Sequence, residues 1–249
     1  PEDIKRSVPV IKEVLKAFRI PVLEISGYEA DDVIGTLATQ AGQLGIDTYM
    51  LTPDKDYGQL VQPHVFMFRP RYGDAGYETL GVDEIEQKYD IATPLQVIDL
   101  LGLMGDAADN IPGCPGVGEK TAIKLIKQFG SIDHLLESTA ELKGALKKKI
   151  EENRQQIAFS KFLATIKTDV PVKLNLDELK LAAPNEPELR RIFDELEFKS
   201  FADRILNKTE KKPKPANTQL DLFAENPTDG QDLFKNENLS TLKTASHNY

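Results

Sequence analysis

An α/β fold with a mixed, mainly parallel sheet flanked by helices, passing into a helical second half, is predicted by three observations on this 249-residue chain. Helical and strand periodicities alternate through the first third, the pattern turns helical from residue 82, and after Asn207 the chain becomes polar and Lys/Pro-rich. An apolar content of 40% is ample for a core, and the length suits one or two domains. These shifts divide the chain into an α/β part over 1–110, a helical part over 111–206 and a flexible linker over 207–249.

Ile4, Val8, Ile11, Leu15 and Phe18 recur at helical spacing, and Pro21–Ile25 then reads as a short strand. A helix begins near Glu29, where Glu29, Asp31 and Asp32 suit the positive end of its dipole. Ile46–Leu51 and His64–Phe68 read as further strands. Strand, helix, strand implies a right-handed crossover and parallel pairing. In such sheets ligands sit beyond the carboxyl ends of the strands, where Asp54 and Asp56 fall.

Helices follow over Val82–Tyr89, Pro94–Met104, Gly118–Phe129 and Ile132–Glu137, the last two meeting at Gly130-Ser131. Gly144–Ile166 reads as one longer helix or two. Val170–Leu176 reads as a strand, with helices near Glu186–Leu196 and Ser200–Leu206.

No apolar run approaches a membrane span and no signal peptide opens the chain, so the expected location is cytoplasmic and no membrane partner is expected. A single cysteine, Cys114, excludes an internal disulfide, and His64, His134 and His247 are too scattered for a zinc site. The net charge of −9 argues at first against a nucleic-acid partner. Its distribution reverses that argument. Residues 24–56 hold seven acids against Lys55 alone, whereas residues 116–161 hold nine Lys/Arg against six acids. An acidic pole beside a basic one fits a metal site next to a phosphate track.

Seven carboxylates fall into three tight groups: Glu29, Asp31 and Asp32 in E-A-D-D, Asp54 and Asp56 in D-K-D, and Asp106 and Asp109 in D-A-A-D. One general acid and one base would need far fewer. Mg²⁺ takes oxygen ligands, and two such ions about 3.5–4 Å apart can stabilise both the attacking and the leaving oxygen of a phosphodiester displacement. Each group has a plainer alternative. E-A-D-D alone reads as helix capping, with Glu29 and Asp32 sharing a face. D-K-D alone reads as a turn between Pro53 and Gly58, although alternate residues of an extended segment would point both carboxylates one way.

The third group runs directly into Gly116-Val-Gly118-Glu-Lys120-Thr121. A G-x-G loop opening a helix presents backbone N–H groups to phosphate, and Lys120 and Lys124 add positive charge along the track. A glycine-rich connection before an ordinary amphipathic helix is the alternative. The loop lacks the spacing of a P-loop.

E-A-D-D, T-x-D-K-D and G-D-x-x-D-N-I-P-G-x-x-G-x-G-E-K-T-A together resemble the 5′-nuclease (flap endonuclease) domain of bacterial DNA polymerase I, over roughly residues 1–206. The resemblance implies that Glu29 and Asp31 match ligands of a first metal, with Asp32 beside them. It implies that Asp54, Asp56 and Asp109 match ligands of a second, with Asp106 an additional carboxylate acting through water. Two Mg²⁺, or Mn²⁺, are the implied cofactors. Gly116, Gly118, Lys120 and Thr121 match a helix-hairpin-helix element that grips duplex backbone, often with a K⁺ ion on loop carbonyls. The implied partner is DNA carrying a 5′ flap or a nick, and the implied state is a monomer.

Family members begin with an apolar strand ending in a metal-binding aspartate, then supply a further aspartate and a basic helical arch. This chain opens at Pro1 in the helix expected after those parts, so it is expected to be an N-terminally truncated piece. A DNA-binding module without catalysis is therefore the rival reading. A phosphatase using Asp54 as nucleophile is another, and it leaves the G-V-G-E-K-T loop unexplained. In the linker, Gln219-Leu220-Asp221-Leu222-Phe223, echoed by Gln231-Asp-Leu-Phe234, resembles the peptide with which bacterial replication enzymes dock to the sliding clamp. Chance recurrence in a polar tail is the alternative.

Overall fold

The computed structural model of the chain describes residues 2–71 and 76–206. Its sheet is small. Thr48–Leu51 forms β1, Val65–Pro70 forms β2 and Tyr77–Leu80 forms β3, in the order β1-β2-β3. β1 runs parallel to β2, with Thr48 opposite Val65, and β3 runs antiparallel to β2, with Leu80 opposite Met67. Strand residues alternate between faces, so Met50, Val65, Met67 and Leu80 all point into the core. The opposite face carries two stacked ring pairs, Tyr49 on Phe66 at 5.2 Å and Phe68 on Tyr77 at 4.9 Å.

Helix α1 (Glu2–Ala17) packs on α9 (Glu186–Glu195): the Phe18 and Phe193 rings lie 6.4 Å apart, and Glu13 pairs with Arg191 at 2.5 Å. Helix α2 (Ala30–Gln43) follows, then β1 and a 3₁₀ turn over Lys55–Leu60. After β3 come α3 (Val82–Tyr89), α4 (Gln96–Met104), α5 (Glu119–Phe129), α6 (Ile132–Glu137), α7 (Gly144–Glu152) and α8 (Arg154–Ala164). The segment expected as one helix or two is two, parted at Asn153.

Helix α4 is the hub that joins the sheet to the helical half. Val97, Leu100, Leu101 and Leu103 are buried, and the apolar core runs on through Leu125, Ile126 and Phe129 of α5 to Ile132, Leu135, Ile150 and Ile157. At Gly102 a Cβ would stand 2.7 Å from Ile132 Cδ1 and 3.0 Å from Lys161 Cα, so only glycine admits the close approach of α8. Buried Asp99 accepts the Ile132 N–H at 3.0 Å and pairs with Lys161 at 3.0 Å, which satisfies its charge.

Two expected strands do not form. Among the described residues no strand lies beside Pro21–Ile25 to complete a ladder, and Val22 and Leu23 stay exposed. Val170–Leu176 instead runs as a strap along α2, and its backbone is satisfied by side chains. Asp32, Thr36 and Gln40, four residues apart on one helical face, take up Lys167, Val170, Val172 and Leu174: Asp32 accepts the Lys167 N–H at 2.8 Å, and Gln40 accepts the Leu174 N–H at 2.8 Å while donating to the Val172 carbonyl at 2.9 Å. Conversely, β3 was not anticipated from the sequence, because its four residues, Tyr-Glu-Thr-Leu, are too few to show a period.

From Lys199 a second unit begins, of which α10 (Lys199–Leu206) is described, with the Arg204 guanidinium 5.1 Å over the Phe201 ring. Among the described residues, no helix is long and apolar enough to cross a membrane. The Gln219–Phe223 motif lies outside the described residues.

Candidate metal centre and nucleic-acid interface

Three carboxylates converge where the 3₁₀ turn after β1 meets the loop after α4. One oxygen from each of Asp56, Asp106 and Asp109 lies within 4.8 Å of the others. The turn places the first of them: Thr52 Oγ1 accepts the Asp54 N–H at 3.1 Å, and the Asp54 carboxylate accepts the Asp56 N–H at 3.0 Å, a cap that starts the 3₁₀ turn. Of the two readings of D-K-D, the segment is a turn and not extended strand. Asp54 spends one oxygen capping the turn, and Asp56 points into the cluster.

The D-A-A-D loop is cinched at its base. The Asp106 N–H donates to the Ile111 carbonyl at 2.9 Å and the Ile111 N–H donates back at 2.8 Å. Gly105 and Gly113 lie backbone to backbone behind this bridge, both at positive φ (+74° and +61°), and a Cβ on Gly105 would stand 2.6 Å from the Ile111 carbonyl. Helix α8 braces the loop from below: Ser160 Oγ accepts the Gly113 N–H at 3.0 Å, and Gln156 donates to the Gly113 carbonyl at 2.8 Å. Asp106 Oδ1 accepts the Ala108 N–H at 2.9 Å, and its other oxygen, Oδ2, pairs with the Lys55 ammonium.

Crowding four negative charges has electrostatic consequences. Burial, and then the charges of Asp54, Asp106 and Asp109, push the Asp56 carboxyl up to about 7. Asp56 Oδ1 is buried and has no hydrogen-bond partner. The Lys55 ammonium holds Asp106 below the usual carboxylate range, and the same pair raises Lys55. Burial, aided by the charges of Asp32 and Asp54, raises Asp31, which ties the first acidic group into the same negative field.

An all-oxygen donor set with one uncompensated buried oxygen fits a hard divalent cation such as Mg²⁺ or Mn²⁺. Glu29, Asp31, Asp32 and Asp54 are not in the converging group. Asp32 caps α2 and anchors the strap, accepting the Glu29 N–H at 3.3 Å on one oxygen and the Lys167 N–H at 2.8 Å on the other.

Downstream of the cluster, Gly116 sits at φ +69° and Gly118 opens α5, with the Thr121 and Ala122 N–H groups bonding back to its carbonyl. Gly116, Gly118, Lys120 and Lys124 are exposed and Thr121 is half-buried, while Ala122, Leu125, Ile126 and Phe129 hold the other face of α5 in the core. The first N–H groups of a helix lack intrahelical partners and in general favour anions. Sequence reasoning missed two residues. Lys149 reaches from α7 to donate to the Gly116 carbonyl at 3.2 Å, and Lys55 sits on Asp106. The middle position of D-K-D was a visible signal for Lys55, whereas nothing local links Lys149 to a loop 33 residues away.

The 5′-3′ exonuclease N-terminal resolvase-like domain model matches residues 1–90, and the 5′-3′ exonuclease C-terminal SAM-fold model matches residues 92–187. The chain belongs to the 5′-3′ exonuclease family. Among its relatives, DNA polymerase I of Bacillus caldotenax is 36% identical over 250 residues, covering 100% of this chain and 28% of the relative. DNA polymerase I of Bacillus subtilis (strain 168) is 43% identical over 206 residues, covering 82% of this chain and 23% of the relative. The chain thus spans about a quarter of the length of these curated relatives. Two solved structures share the fold at low identity. T5 5′-exonuclease with bound divalent zinc ions has a TM-score of 0.53 at 20% identity, covering 72% of this chain and 62% of that one. The catalytic core of Rad2 in complex with DNA substrate has a TM-score of 0.59 at 17% identity, covering 85% of this chain and 71% of that one.

Proposed function

We propose that the chain carries the metal-binding and DNA-gripping parts of a 5′-nuclease that hydrolyses phosphodiesters at 5′ flaps and ends of DNA. The observation that carries this reading is the convergence of Asp56, Asp106 and Asp109 around an unpartnered buried oxygen, on a loop continuous with the G-V-G-E-K-T segment. Asp56, Asp106 and Asp109 would hold one Mg²⁺ or Mn²⁺, with Asp54 close enough to add to the field and Glu29 and Asp31 the candidates for a second ion. Bound Mg²⁺ would supply charge neutralisation at the scissile phosphate and activation of water.

The protein's own residues do the rest. The loop tied by the Asp106–Ile111 bridge and braced by Ser160 and Gln156 fixes the carboxylates in place, so no reorganisation is needed when charge develops. Gly116, Gly118, Thr121, Lys120 and Lys124 grip duplex phosphates, with the Gly116 carbonyl a candidate K⁺ ligand. Gln219–Phe223 is a candidate clamp-docking peptide, inserting Leu222 and Phe223 as apolar anchors; Leu222→Ala with Phe223→Ala should abolish clamp pull-down. The proposed setting is bacterial cytoplasm, with the chain acting as a monomer.

A labelled 5′-flap duplex incubated with the chain in Mg²⁺, and again in Mn²⁺, tests the reading. Cleavage that disappears in Asp56→Asn/Asp109→Asn supports it. One observation favours a second reading, a structure-selective DNA-binding module without catalysis: Glu29 and Asp31 do not join the converging carboxylates. Flap binding without cleavage in either metal would decide for that reading.

A further inference from the structure

Asp106 is a fixed carboxylate with one oxygen held by the backbone. Its backbone is locked to Ile111, its Oδ1 accepts the Ala108 N–H, and its side chain is 6% exposed. The remaining oxygen, Oδ2, is occupied by Lys55, whose own side chain is 43% exposed. The two partners are therefore unequal. The carboxylate cannot move without breaking the loop, whereas the ammonium rides on a flexible four-carbon stem with open solvent beside it.

Around this pair the charges do not balance. Asp56, Asp106 and Asp109 bring three carboxylates to one spot, Lys55 is paired with Asp106, and among the described residues Asp56 Oδ1 has no hydrogen-bond partner. Of the two Asp106 oxygens, Oδ2 has no backbone hydrogen bond to give up to a divalent cation, and it is the atom that Lys55 now holds. An ammonium and a dication on one oxygen repel each other at short range in a partly desolvated site.

We propose that Lys55 is a tethered counter-cation of the carboxylate trio, holding Asp106 when no metal is bound and competing with the divalent cation for Asp106 Oδ2. Lys55 thereby lowers metal affinity while keeping the metal-free site assembled. When the cation enters, the ammonium leaves Asp106 for solvent, one residue from Asp54 and Asp56. Lys55 is a positioning residue, since it acts through the carboxylate. The inference rests on the trio being a cation site, as proposed above.

Calorimetric titration of the full metal-free chain with Mn²⁺ tests it, comparing the parent with Lys55→Met and Lys55→Arg. Removing the unit charge should tighten Mn²⁺ binding about tenfold in Lys55→Met, while Lys55→Arg stays near the parent. In chelator, Lys55→Met should melt several degrees lower than the parent, and saturating Mn²⁺ should close that gap. If Lys55→Met does not fold without metal, Lys55→Gln, which keeps a neutral donor for Asp106, must tighten binding in the same direction. Mn²⁺ uptake that is unchanged or weaker in the folded neutral variant overturns the role of Lys55 alone. No uptake by the parent overturns the cation site and this inference together.

Discussion

Asp56→Asn replaces the most strained charge of the cluster with a neutral side chain of the same shape, and its effect can be worked out with its sign. The Asp56 carboxyl stands at about 7 in the folded chain against 3.8 when unperturbed, chiefly through burial and then through Asp54, Asp106 and Asp109. A raised folded value means that the folded state holds the proton more tightly than the unfolded state. The associated stability is fully present below 3.8 and is lost as pH rises through about 7. At about 1.4 kcal/mol per unit the full loss would be roughly 4 kcal/mol; because the side chain is only half-buried, screening reduces it to about 1–2 kcal/mol. In chelator, Asp56→Asn should therefore melt about 2–8 °C above the parent at pH 8 and coincide with it near pH 4. Saturating Mn²⁺ should cancel the advantage, since the cation compensates the parent's carboxylate and not the amide. Thermal melts by circular dichroism, with and without Mn²⁺, read all three outcomes. A variant no more stable than the parent at pH 8, or one equally stabilised at both pH values, would refute the electrostatic reasoning.

Three further outcomes follow from the same geometry. Gly113→Ala places a Cβ into the Gly105 backbone at a positive φ, so it should cost about 2–4 kcal/mol in denaturant melts and lower Mn²⁺ affinity by dislocating Asp106 and Asp109. Gln59→Leu leaves the Ala164 carbonyl and the Ile166 N–H buried without partners, both of which Gln59 now satisfies at 2.9 Å, and should cost roughly 2–4 kcal/mol by urea unfolding. Lys120→Ala with Lys124→Ala should weaken duplex binding about equally for all sequences and flatten the salt dependence by about two phosphate contacts in fluorescence anisotropy.

Local chemistry made much of this legible in the sequence. The helices over Val82–Tyr89 and Ile132–Glu137 lie where their periodicity put them, because each has an apolar stripe that meets the core. Asp56, Asp106 and Asp109 were singled out by residue type and by the glycines around them. What remained hidden depends on contacts far apart in the chain. Val170–Leu176 has strand-like alternation, yet it is satisfied by Asp32, Thr36 and Gln40, more than a hundred residues away. Asp32 also anchors the strap through the Lys167 N–H, a contact 135 residues away that E-A-D-D alone does not announce. The spacing of E-A-D-D cannot tell a cap from a metal site.

The central claim is that Asp56, Asp106 and Asp109 form a divalent-cation site beside the G-V-G-E-K-T loop, and Mn²⁺ uptake tests it most directly. Equilibrium titration of the chain, followed by the electron-spin-resonance signal of free Mn²⁺, should show saturable uptake in the parent that is lost in Asp56→Asn/Asp109→Asn while its melt remains cooperative. Equal uptake by parent and double variant, or none by the parent, would contradict the account.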